Sequence, residues 1–335
     1  MKKLVLTGIR AMEIVEAPQP TPGPGEVLLR VESVGVCGSD VHYWKHGRIG
    51  DQVVRYPFAV GHEMAGTVVA QGEGVERPLV GQRVAVEPAI SCGECDQCRK
   101  GRAHTCRRLK FLGCPGQVEG CLSDFIVMPA KCCFPVPEGF SPDLAMLVEP
   151  LSIGLYAVRR AEPSAGARVA VLGAGPIGCS VLLMAKTAGA HVWVSDKVLE
   201  RVQLAKALGA DDAGTPEELE HAGPFDVAIE CCGEQEALDQ AVRVLGPGGR
   251  LAVVGIPAED RVSFHAHEVR RKEIDILAIR RQNECVEPAL RMVVEGEIDP
   301  SAMVTHRFPL ERAQEAFELA SEYRDGVLKA AIHLA

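Results

Sequence analysis

The chain has 335 residues, of which 47% are hydrophobic and 24% are charged, a mixture typical of a globular protein. This length exceeds what one compact core usually holds and predicts about two domains. The net charge is -9, with cationic residues scattered among acidic ones. The sequence therefore lacks the basic stripe that a nucleic-acid or anionic-membrane partner would require.

The segments expected of an exported or membrane-bound protein are not apparent in the sequence. No apolar run reaches about eighteen residues, the length of a membrane-spanning helix. Arg10 and Glu13 interrupt the region where a secretory signal would be apolar, so we expect a cytoplasmic protein. In such a protein, the 13 cysteines are expected to bind metal or to pack in a core rather than to form disulfides.

The first third of the chain is predicted to be β-rich. Apolar and polar residues alternate over 26–36, which predicts a half-buried strand after the Pro- and Gly-rich turn at 18–25. Further short strands are predicted at 65–70, 83–87 and 123–128. Many short strands broken by Gly and Pro predict a barrel-like or irregular β domain.

From about Glu149 onward, short buried strands and helices alternate along the chain. This alternation is typical of a doubly wound parallel sheet. A last helix at 285–295 leads into a tail with a strand at 327–332, and we expect this tail to pack against the first domain. The remaining predicted strands are 168–172, 191–195, 225–231, 250–256 and 273–279, and the predicted helices are 176–188, 199–208 and 236–245.

The sequence thus predicts an α/β protein with two domains. Residues 1–148 and 288–335 are expected to form the β-rich domain, and residues 149–287 the doubly wound domain. The β-rich domain is discontinuous because the tail returns to it.

A glycine-rich turn with the pattern GxGxxG follows the predicted strand 168–172. Glycine permits a tight turn and a close approach of the backbone to a pyrophosphate, and the following helix N-terminus offers N–H groups to the anion. This strand–turn–helix setting favours a dinucleotide-binding Rossmann site over an ordinary turn. The residues of the turn are Gly173, Gly175, Pro176, Ile177 and Gly178.

Asp196, at the end of the next predicted strand, determines the expected cofactor. Its carboxylate can accept hydrogen bonds from both ribose hydroxyls and would repel a 2′-phosphate, so NAD is favoured over NADP. The nearby cation Arg201 would tolerate a phosphate and weakens this preference. We also expect Cys231 and Ile256 to lie at the edge of the cofactor site.

Four cysteines with the spacing C-x2-C-x2-C-x7-C lie in a polar loop. Four thiolates satisfy the tetrahedral site of structural zinc, whose binding would supply the folding energy of a loop with few apolar residues. An iron–sulfur cluster is the alternative, but the last spacing differs from that of bacterial ferredoxins. The predicted ligands are Cys92, Cys95, Cys98 and Cys106, and His104 within the loop is expected to be exposed.

Three further segments carry ligand-type residues: VGVCGSDVHYW, VGHEMAG and LVEPLS. Together with CGECDQCRKGRAHTC, VLGAGPIG and VTHRFPLERAQEAFE, they resemble the zinc-containing medium-chain alcohol dehydrogenases, and most closely the sorbitol (polyol) dehydrogenase branch. The resemblance extends over nearly the full length. It implies a GroES-like catalytic domain, a Rossmann domain, NAD, and two zinc ions, one catalytic and one structural. It also implies a homo-oligomer, either a tetramer or a dimer.

The resemblance implies roles for residues of the first domain. Cys37, His62 and Glu63 would bind the catalytic zinc and leave one position open to water or substrate. Glu149 lies where other branches have a cysteine ligand, and it would bind the zinc directly, through water or in alternation. Ser39 would accept the substrate proton, and His42 would pass it to solvent.

The function implied is oxidation of a polyol or other secondary alcohol by NAD, giving a ketose or ketone. Arg281 and Gln282 replace the aromatic–cysteine pair expected after Arg280, and two adjacent arginines favour an acidic sugar through bidentate pairing. The alternative is an L-threonine or sugar-acid (aldonate) dehydrogenase on the same scaffold. A non-catalytic, zinc-stabilised NAD-binding protein is more distant, because every catalytic residue type is present. The residues implied to contact substrate are Ser39, Tyr43, Phe111, Glu149 and Arg280.

Overall fold

The computed structural model describes residues 1–257 and 261–334. The chain forms two compact units. The first comprises Met1–Glu149 with Val304–Ala335, and the second comprises Pro150–Met303.

The second boundary differs from the position predicted after residue 287. A helix at Val286–Val294 buries several apolar side chains, Ala289 and Leu290 among them, and belongs entirely to the second unit. The buried Ile298 follows it and lines a surface depression together with Leu183 of the same unit. The predicted boundary lay too early because it separated this helix from the core that buries its apolar face.

The part of the first unit before residue 142 is built mainly of strands, many of them short. Two short helices interrupt them, one directly after the longest strand and one in the cysteine-rich loop. The elements are β1 (Lys2–Gly8), β2 (Ala11–Glu16), β3 (Glu26–Gly35), α1 (Gly38–His46), β4 (Arg48–Ile49), β5 (Gln52–Val53), β6 (Glu63–Gln71), β7 (Arg83–Val86), β8 (Ala89–Ile90), α2 (Asp96–Arg99), β9 (Lys110–Phe111), β10 (Phe125–Pro129) and β11 (Cys133–Pro135).

β3 lies inside the main sheet of the first unit. It pairs antiparallel with β6, where Gly35 is opposite Glu63, and with β10, where Arg30 is opposite Phe125. Most of its side chains are buried, so the strand is more buried than the predicted half-buried pattern. The reason is its central position, since a strand flanked on both edges and covered on both faces has few exposed residues.

The helix α3 (Pro142–Ala161) was not predicted from the sequence. Pro150 lies inside it and removes one backbone donor, which is why the segment LVEPLS has the pattern of a break rather than a helix. Tertiary contacts fix its first turn: Asp143 accepts hydrogen bonds from Ser33 Oγ (2.8 Å) and Arg307 Nε (2.7 Å). Packing therefore overrides the local propensity at this position.

The second unit has the predicted doubly wound architecture. Its strands form a parallel sheet in the order β14 (Asp212–Gly214), β13 (His191–Ser195), β12 (Arg168–Leu172), β15 (Phe225–Glu230), β16 (Leu245–Val253) and β17 (Asp275–Ala278). β12 and β13 have the predicted bounds, whereas β16 begins earlier than predicted. The elements are β12 (Arg168–Leu172), α4 (Pro176–Thr187), β13 (His191–Ser195), α5 (Leu199–Ala207), β14 (Asp212–Gly214), α6 (Pro216–Ala222), β15 (Phe225–Glu230), α7 (Gln235–Val244), β16 (Leu245–Val253), α8 (Ala266–Lys272), β17 (Asp275–Ala278) and α9 (Val286–Val294).

The C-terminal tail adds β18 (Val304–Pro309), α10 (Ala313–Glu322) and β19 (Lys329–His333) to the first unit. β19 pairs antiparallel with β3, where Ala331 is opposite Gly35. The main sheet thus has the order β11-β7-β6-β3-β19-β18, with β10 also on β3. Within residues 1–257 and 261–334, the helices are all too short or too polar to cross a bilayer.

Candidate active site

The sheet of the first unit brings Cys37, His62 and Glu63 together. Cys37 follows β3 and caps α1, and His62 and Glu63 stand at the start of the neighbouring β6. Their ligand atoms lie within 4.8 Å of one another. A Cβ on Gly35, opposite Glu63, would overlap the Glu63 carboxylate, so only glycine leaves room for this arrangement.

The imidazole of His62 is oriented by Asp40, which the sequence analysis did not single out. His62 Nδ1 lies 3.4 Å from Asp40 Oδ1, and both side chains are buried. Asp40 also accepts hydrogen bonds from the backbone N–H of Gly61 (3.1 Å) and of Cys37 (3.3 Å). This contact assigns Nδ1 to the carboxylate and leaves Nε2 as the atom that faces a metal, as in other carboxylate–histidine–metal sites.

The protonation of His62 reflects the same contacts. Burial lowers the pKa of His62, but the negative charges of Asp40 and Cys37 outweigh burial and hold that pKa well above its ordinary value. A cation is therefore favoured beside these two groups, and a divalent metal ion on Nε2 would meet the same preference.

Lys329 on β19 forms a buried ion pair with Glu63, and the sequence analysis missed it. Its Nζ donates to Glu63 Oε1 (2.8 Å), to Oε2 (2.6 Å) and to the carbonyl of Val36 (3.1 Å). Both side chains are 1% exposed. Burial lowers the pKa of Lys329, but the charges of Glu63 and Cys37 reverse the effect and the pKa is raised. A buried charge of this kind requires a partner, which Glu63 supplies.

The donor set fits a catalytic zinc ion. Cys37, His62 and Glu63 offer sulfur, nitrogen and oxygen, and catalytic zinc sites use about three such protein ligands with one position open. Glu149 is also buried, and its charge contributes to the raised pKa of Lys329. Its oxygens are nevertheless outside the 4.8 Å cluster.

Of the other residues implied by the resemblance, Ser39 and Phe111 lie beside this cluster. Ser39 Oγ donates to Cys37 Sγ at 3.4 Å, and the Phe111 ring centroid is 5.3 Å from that of His62. The hydroxyl of Tyr43 donates to Gln52 Oε1 (2.7 Å). Burial, followed by the positive charges of the neighbouring residues at 46 and 45, lowers the pKa of the half-buried His42. Arg280 is exposed and belongs to the second unit.

The cysteine-rich loop brings its four predicted ligands into contact. Sγ–Sγ distances are 3.4 Å for Cys92–Cys106, 3.5 Å for Cys95–Cys98, and 3.8 Å for Cys95–Cys106. Four sulfurs around one zinc ion are about 3.8 Å apart, so the set fits structural zinc. A backbone hydrogen bond at Glu94 contributes most to lowering the pKa of Cys92 to about 6, which favours the thiolate. The prediction that His104 is exposed was wrong, because its side chain is buried beside Cys106 in the compact loop.

The glycine-rich turn of the second unit has the close contacts expected of a nucleotide site. Gly173 has φ +99°, and a Cβ there would lie 2.7 Å from Cys232 Sγ. A Cβ on Gly178 would overlap the carbonyl of Gly173. Pro176 and Ile177 begin α4, which starts directly after Gly175. The N-terminus of α4 is thereby open to an anion.

Asp196 lies against this turn. Its Oδ2 accepts from Ala174 N and its Oδ1 from Val198 N, each at 2.8 Å. Each carboxylate oxygen has a second lone pair, so both can still accept from a ribose hydroxyl. Arg201 Nη1 is 3.9 Å from the position of a Cβ on Gly175. A cation and an anion thus flank the same turn.

The two remaining cofactor predictions also lie at the carboxyl edge of the parallel sheet. The backbone N–H of Cys231 donates to the carbonyl of Leu172, at the end of β12 (2.9 Å). Ile256, after β16, is 56% exposed. Nucleotides bind at this edge in doubly wound sheets.

Comparison with known proteins assigns both parts of the chain. Residues 23–138 match the alcohol dehydrogenase GroES-like domain family, and residues 176–295 match the zinc-binding dehydrogenase family. The sorbitol dehydrogenase of Bacillus subtilis is 35% identical, over 99% of this chain and 97% of that protein. The sorbitol dehydrogenase of Mus musculus is 38% identical, over 95% of this chain and 92% of that protein.

Solved structures agree with this assignment. A short-chain alcohol dehydrogenase of Escherichia coli CFT073, complexed with NADH, has a TM-score of 0.91 at 30% identity and covers 99% of both chains. A zinc-binding dehydrogenase of Sinorhizobium meliloti bound to NADP has a TM-score of 0.91 at 28% identity, over 99% of this chain and 98% of that one. L-Idonate 5-dehydrogenase of Escherichia coli has a TM-score of 0.89 at 25% identity, over 99% of this chain and 97% of that one.

The similarity covers both domains, the cysteine loop and the Cys37–His62–Glu63 cluster. The chain belongs to the zinc-containing medium-chain alcohol dehydrogenases, an enzyme family in which its curated relatives at 35% and 38% identity are sorbitol dehydrogenases.

Proposed function

We propose that the protein oxidises a secondary hydroxyl of a sorbitol- or xylitol-like polyol with NAD and releases a ketose. The observation that carries this proposal is the cluster of the partly buried Cys37 with the buried His62 and Glu63. Asp40 lies behind the imidazole and Lys329 behind the carboxylate. The substrate class is supported by the sorbitol dehydrogenases among the relatives.

Cys37, His62 and Glu63 would hold the catalytic metal ion. Zinc bound there supplies a Lewis acid that lowers the pKa of a substrate hydroxyl. Because Lys329 compensates the charge of Glu63, the three protein donors contribute only the net charge of one thiolate. The site therefore retains a preference for negative charge on the substrate oxygen, which hydride loss from the adjacent carbon requires.

Ser39 and His42 are proposed to remove the substrate proton. Ser39 Oγ is within hydrogen-bonding distance of Cys37 Sγ, so its hydroxyl lies beside the metal cluster. His42, on the next turn of α1, has a pKa lowered by burial and by the charges of His46 and Lys45, which favours its neutral form. A neutral imidazole can accept a proton and release it to solvent.

Glu149, Tyr43 and Phe111 are proposed to shape the substrate pocket. Since the Glu149 oxygens are outside the ligand cluster, we assign this carboxylate to a water or substrate hydroxyl next to the metal rather than to constant direct ligation. Phe111 packs against His62 and offers an apolar surface to the carbon chain. Tyr43 donates a hydrogen bond to Gln52, and its hydroxyl oxygen would accept one from a substrate hydroxyl.

NAD is the proposed oxidant, and its nicotinamide accepts the hydride. The turn at Gly173–Gly178 would hold the pyrophosphate at the N-terminus of α4. Asp196 would accept from the adenosine ribose and repel a 2′-phosphate, whereas Arg201 would oppose that repulsion. Relatives of known structure hold NADH in one case and NADP in another, so the balance at these two side chains decides the cofactor.

Arg280 and Arg281 favour a second candidate, oxidation of a sugar acid. Two arginines that are consecutive in the chain offer guanidinium groups, which suit a carboxylate through bidentate hydrogen bonds. Arg281 has φ +52°, an unfavourable conformation for a residue other than glycine, and such strain concentrates at functional sites. L-Idonate 5-dehydrogenase is among the similar structures.

Steady-state kinetics test these alternatives. We expect kcat/KM with NAD to be highest for sorbitol or xylitol and lower for L-threonine and L-idonate. If L-idonate were preferred, Arg281→Gln would raise its KM about tenfold or more through loss of charge-assisted hydrogen bonds, while the exposed control Arg291→Gln would not. Activity with none of the four substrates would contradict the proposed function.

A further inference from the structure

Glu230 is a fully buried acidic residue at the carboxyl end of β15, with 0% of its surface exposed. It ends β15 (FDVAIE), in which every side chain but that of Asp226 is buried, and it belongs to neither of the two metal clusters. Glu230 is opposite Leu172, the last residue of β12 before the glycine-rich turn. A buried carboxyl in this position requires an explanation, because acidic residues are rarely buried without one.

The two oxygens of Glu230 have different environments. Oε1 accepts hydrogen bonds from the backbone N–H of Cys232 (2.5 Å) and of Gly233 (2.6 Å). Oε2 is buried and lies on the side of Gly255. Burial raises the pKa of Glu230, and the N–H groups of Gly233, Cys232 and Gly255 oppose that rise. The carboxyl group therefore holds the backbone that follows β15 by hydrogen bonds.

Two glycines allow the backbone to close on this carboxyl group. A Cβ on Gly255 would lie 2.7 Å from Glu230 Oε2 and would overlap the backbone nitrogen of Gly233. Gly233 has φ +76°, and a Cβ there would overlap the carbonyl of Ile256. The loops after β15 and β16 thus meet at Glu230, with no space for side chains at these contacts.

The segment held by Glu230 is in direct contact with the glycine-rich turn. Cys232 Sγ donates to the carbonyl of Leu172 at 3.2 Å, and it lies 2.7 Å from the position of a Cβ on Gly173. The backbone N–H of Cys231 bonds to the same carbonyl. Any displacement of the segment 231–233 would consequently disturb the turn that is proposed to bind the pyrophosphate.

We propose that Glu230 is a positioning residue of the nucleotide site, which sets cofactor affinity by fixing Cys232 and Gly233 against Gly173. The inference rests on the proposed use of NAD. Glu230 acts through the backbone and not by touching the nucleotide, because its second oxygen is inaccessible. What matters is an acceptor at the position of Oε1, which the carbonyl oxygen of glutamine also provides.

The test compares Glu230→Gln with Glu230→Met in the zinc-loaded enzyme. NADH affinity is measured by fluorescence titration, and KM for NAD, KM for the alcohol and kcat by steady-state kinetics. The matched control is Glu218→Met, which also removes a carboxylate acceptor of a backbone N–H in the same unit, at Thr215 (2.7 Å) before α6. Thermal unfolding midpoints of all variants report on stability separately.

We expect Glu230→Met to raise the Kd for NADH about tenfold, because two buried N–H groups lose their acceptor. KM for NAD should rise by a similar factor, while kcat at saturating NAD and KM for the alcohol stay close to those of the unmodified enzyme. Glu230→Gln should keep the Kd within about twofold of the original because its carbonyl still accepts. Glu218→Met should lower the unfolding midpoint without changing the Kd.

Four outcomes would overturn the inference. An unchanged Kd in folded Glu230→Met contradicts it, as does an equal change in Glu218→Met, which would indicate a general effect of stability. Absence of NADH and NADPH binding to the unmodified enzyme would contradict the proposed cofactor and the inference with it. If Glu230→Met does not fold, Glu230→Asp, whose carboxylate is one methylene shorter, replaces it. An unchanged Kd there contradicts the inference too.

Discussion

The two zinc sites of the first unit are built in opposite ways. The ligands of the cysteine loop come from one short segment, 92–106, and three of the four are partly exposed. The catalytic cluster draws on β3, β6 and β19, and its supporting residues are buried at 1% exposure or less, as for Lys329 and Asp40. The loop therefore depends on its metal for order, whereas the sheet positions the catalytic donors with its own hydrogen bonds.

Removing the thiolate of the catalytic cluster is expected to have the largest effect. Cys37→Ala should lower kcat by at least about a thousandfold, because the substrate hydroxyl loses Lewis-acid activation. The loop site should stay intact, so metal analysis should find one zinc ion per chain instead of two. NADH titration should give a Kd close to that of the unmodified enzyme.

A suitable control for this variant is Cys132→Ala, since Cys132 is buried in the same unit but lies outside both metal clusters. This variant should retain both zinc ions and its activity. Near-normal turnover by Cys37→Ala would contradict the assignment of the catalytic site.

The ion pair behind the catalytic cluster tests whether the sheet builds that site without metal. Lys329→Met leaves the Glu63 carboxylate buried without its cation, which should destabilise the metal-free protein by about 3–5 kcal/mol. Zinc supplies a replacement positive charge, so its addition should stabilise the variant more than the unmodified protein. Denaturant unfolding with zinc and with chelator measures this difference.

Lys329→Arg is the matched control for this prediction, because it keeps the positive charge and hydrogen-bond donors. Its loss of stability without metal should be smaller than that of Lys329→Met. Equal unfolding free energies for Lys329→Met and the unmodified protein, both without metal, would show that the pair is not needed to hold Glu63.

The cysteine loop should respond in the opposite way. Cys98→Ser is expected to release its zinc ion and to lower the unfolding free energy by about 3 kcal/mol, which corresponds to roughly 6–12 °C in Tm. Limited proteolysis should cut within 92–106. The catalytic zinc and kcat of the folded fraction should be retained, and loss of both zinc ions would show that the two sites fold as one.

The contrast between the sites also explains how far the sequence could predict them. The loop ligands were found from spacing alone, because all four come from one segment. The bounds of β12 and β13 were predicted for a similar reason, since each is a short run of buried residues and β12 is followed by a glycine turn. These features depend on nearest neighbours in the chain.

Features created by strand pairing were not predictable in the same way. Lys329 is 266 positions from Glu63, and they become neighbours because β19 and β6 both pair with β3. In the sequence, Glu230 looks like an ordinary residue at the end of a strand, because the loops that bury its carboxyl group are formed only in the folded unit. Asp40 did offer a local signal, because it follows Cys37 by three residues at the start of α1 and accepts from its N–H.

The smallest expected effect concerns the pH dependence of proton release. The pKa of His42 is lowered by burial and then by the charges of His46 and Lys45, so His42 stays neutral to a lower pH than an ordinary histidine. Since a proton acceptor must be neutral, kcat should fall as the pH decreases through that lowered pKa. His46→Gln removes one repelling charge, which raises the pKa of His42 and should move the acid limb of the pH–rate profile to higher pH.

His42→Gln should lower kcat about tenfold and remove this limb, because general acid–base groups contribute at least this much. The exposed His221→Gln in the second unit serves as the control, and an identical acid limb in all three variants would exclude His42 from the proton path.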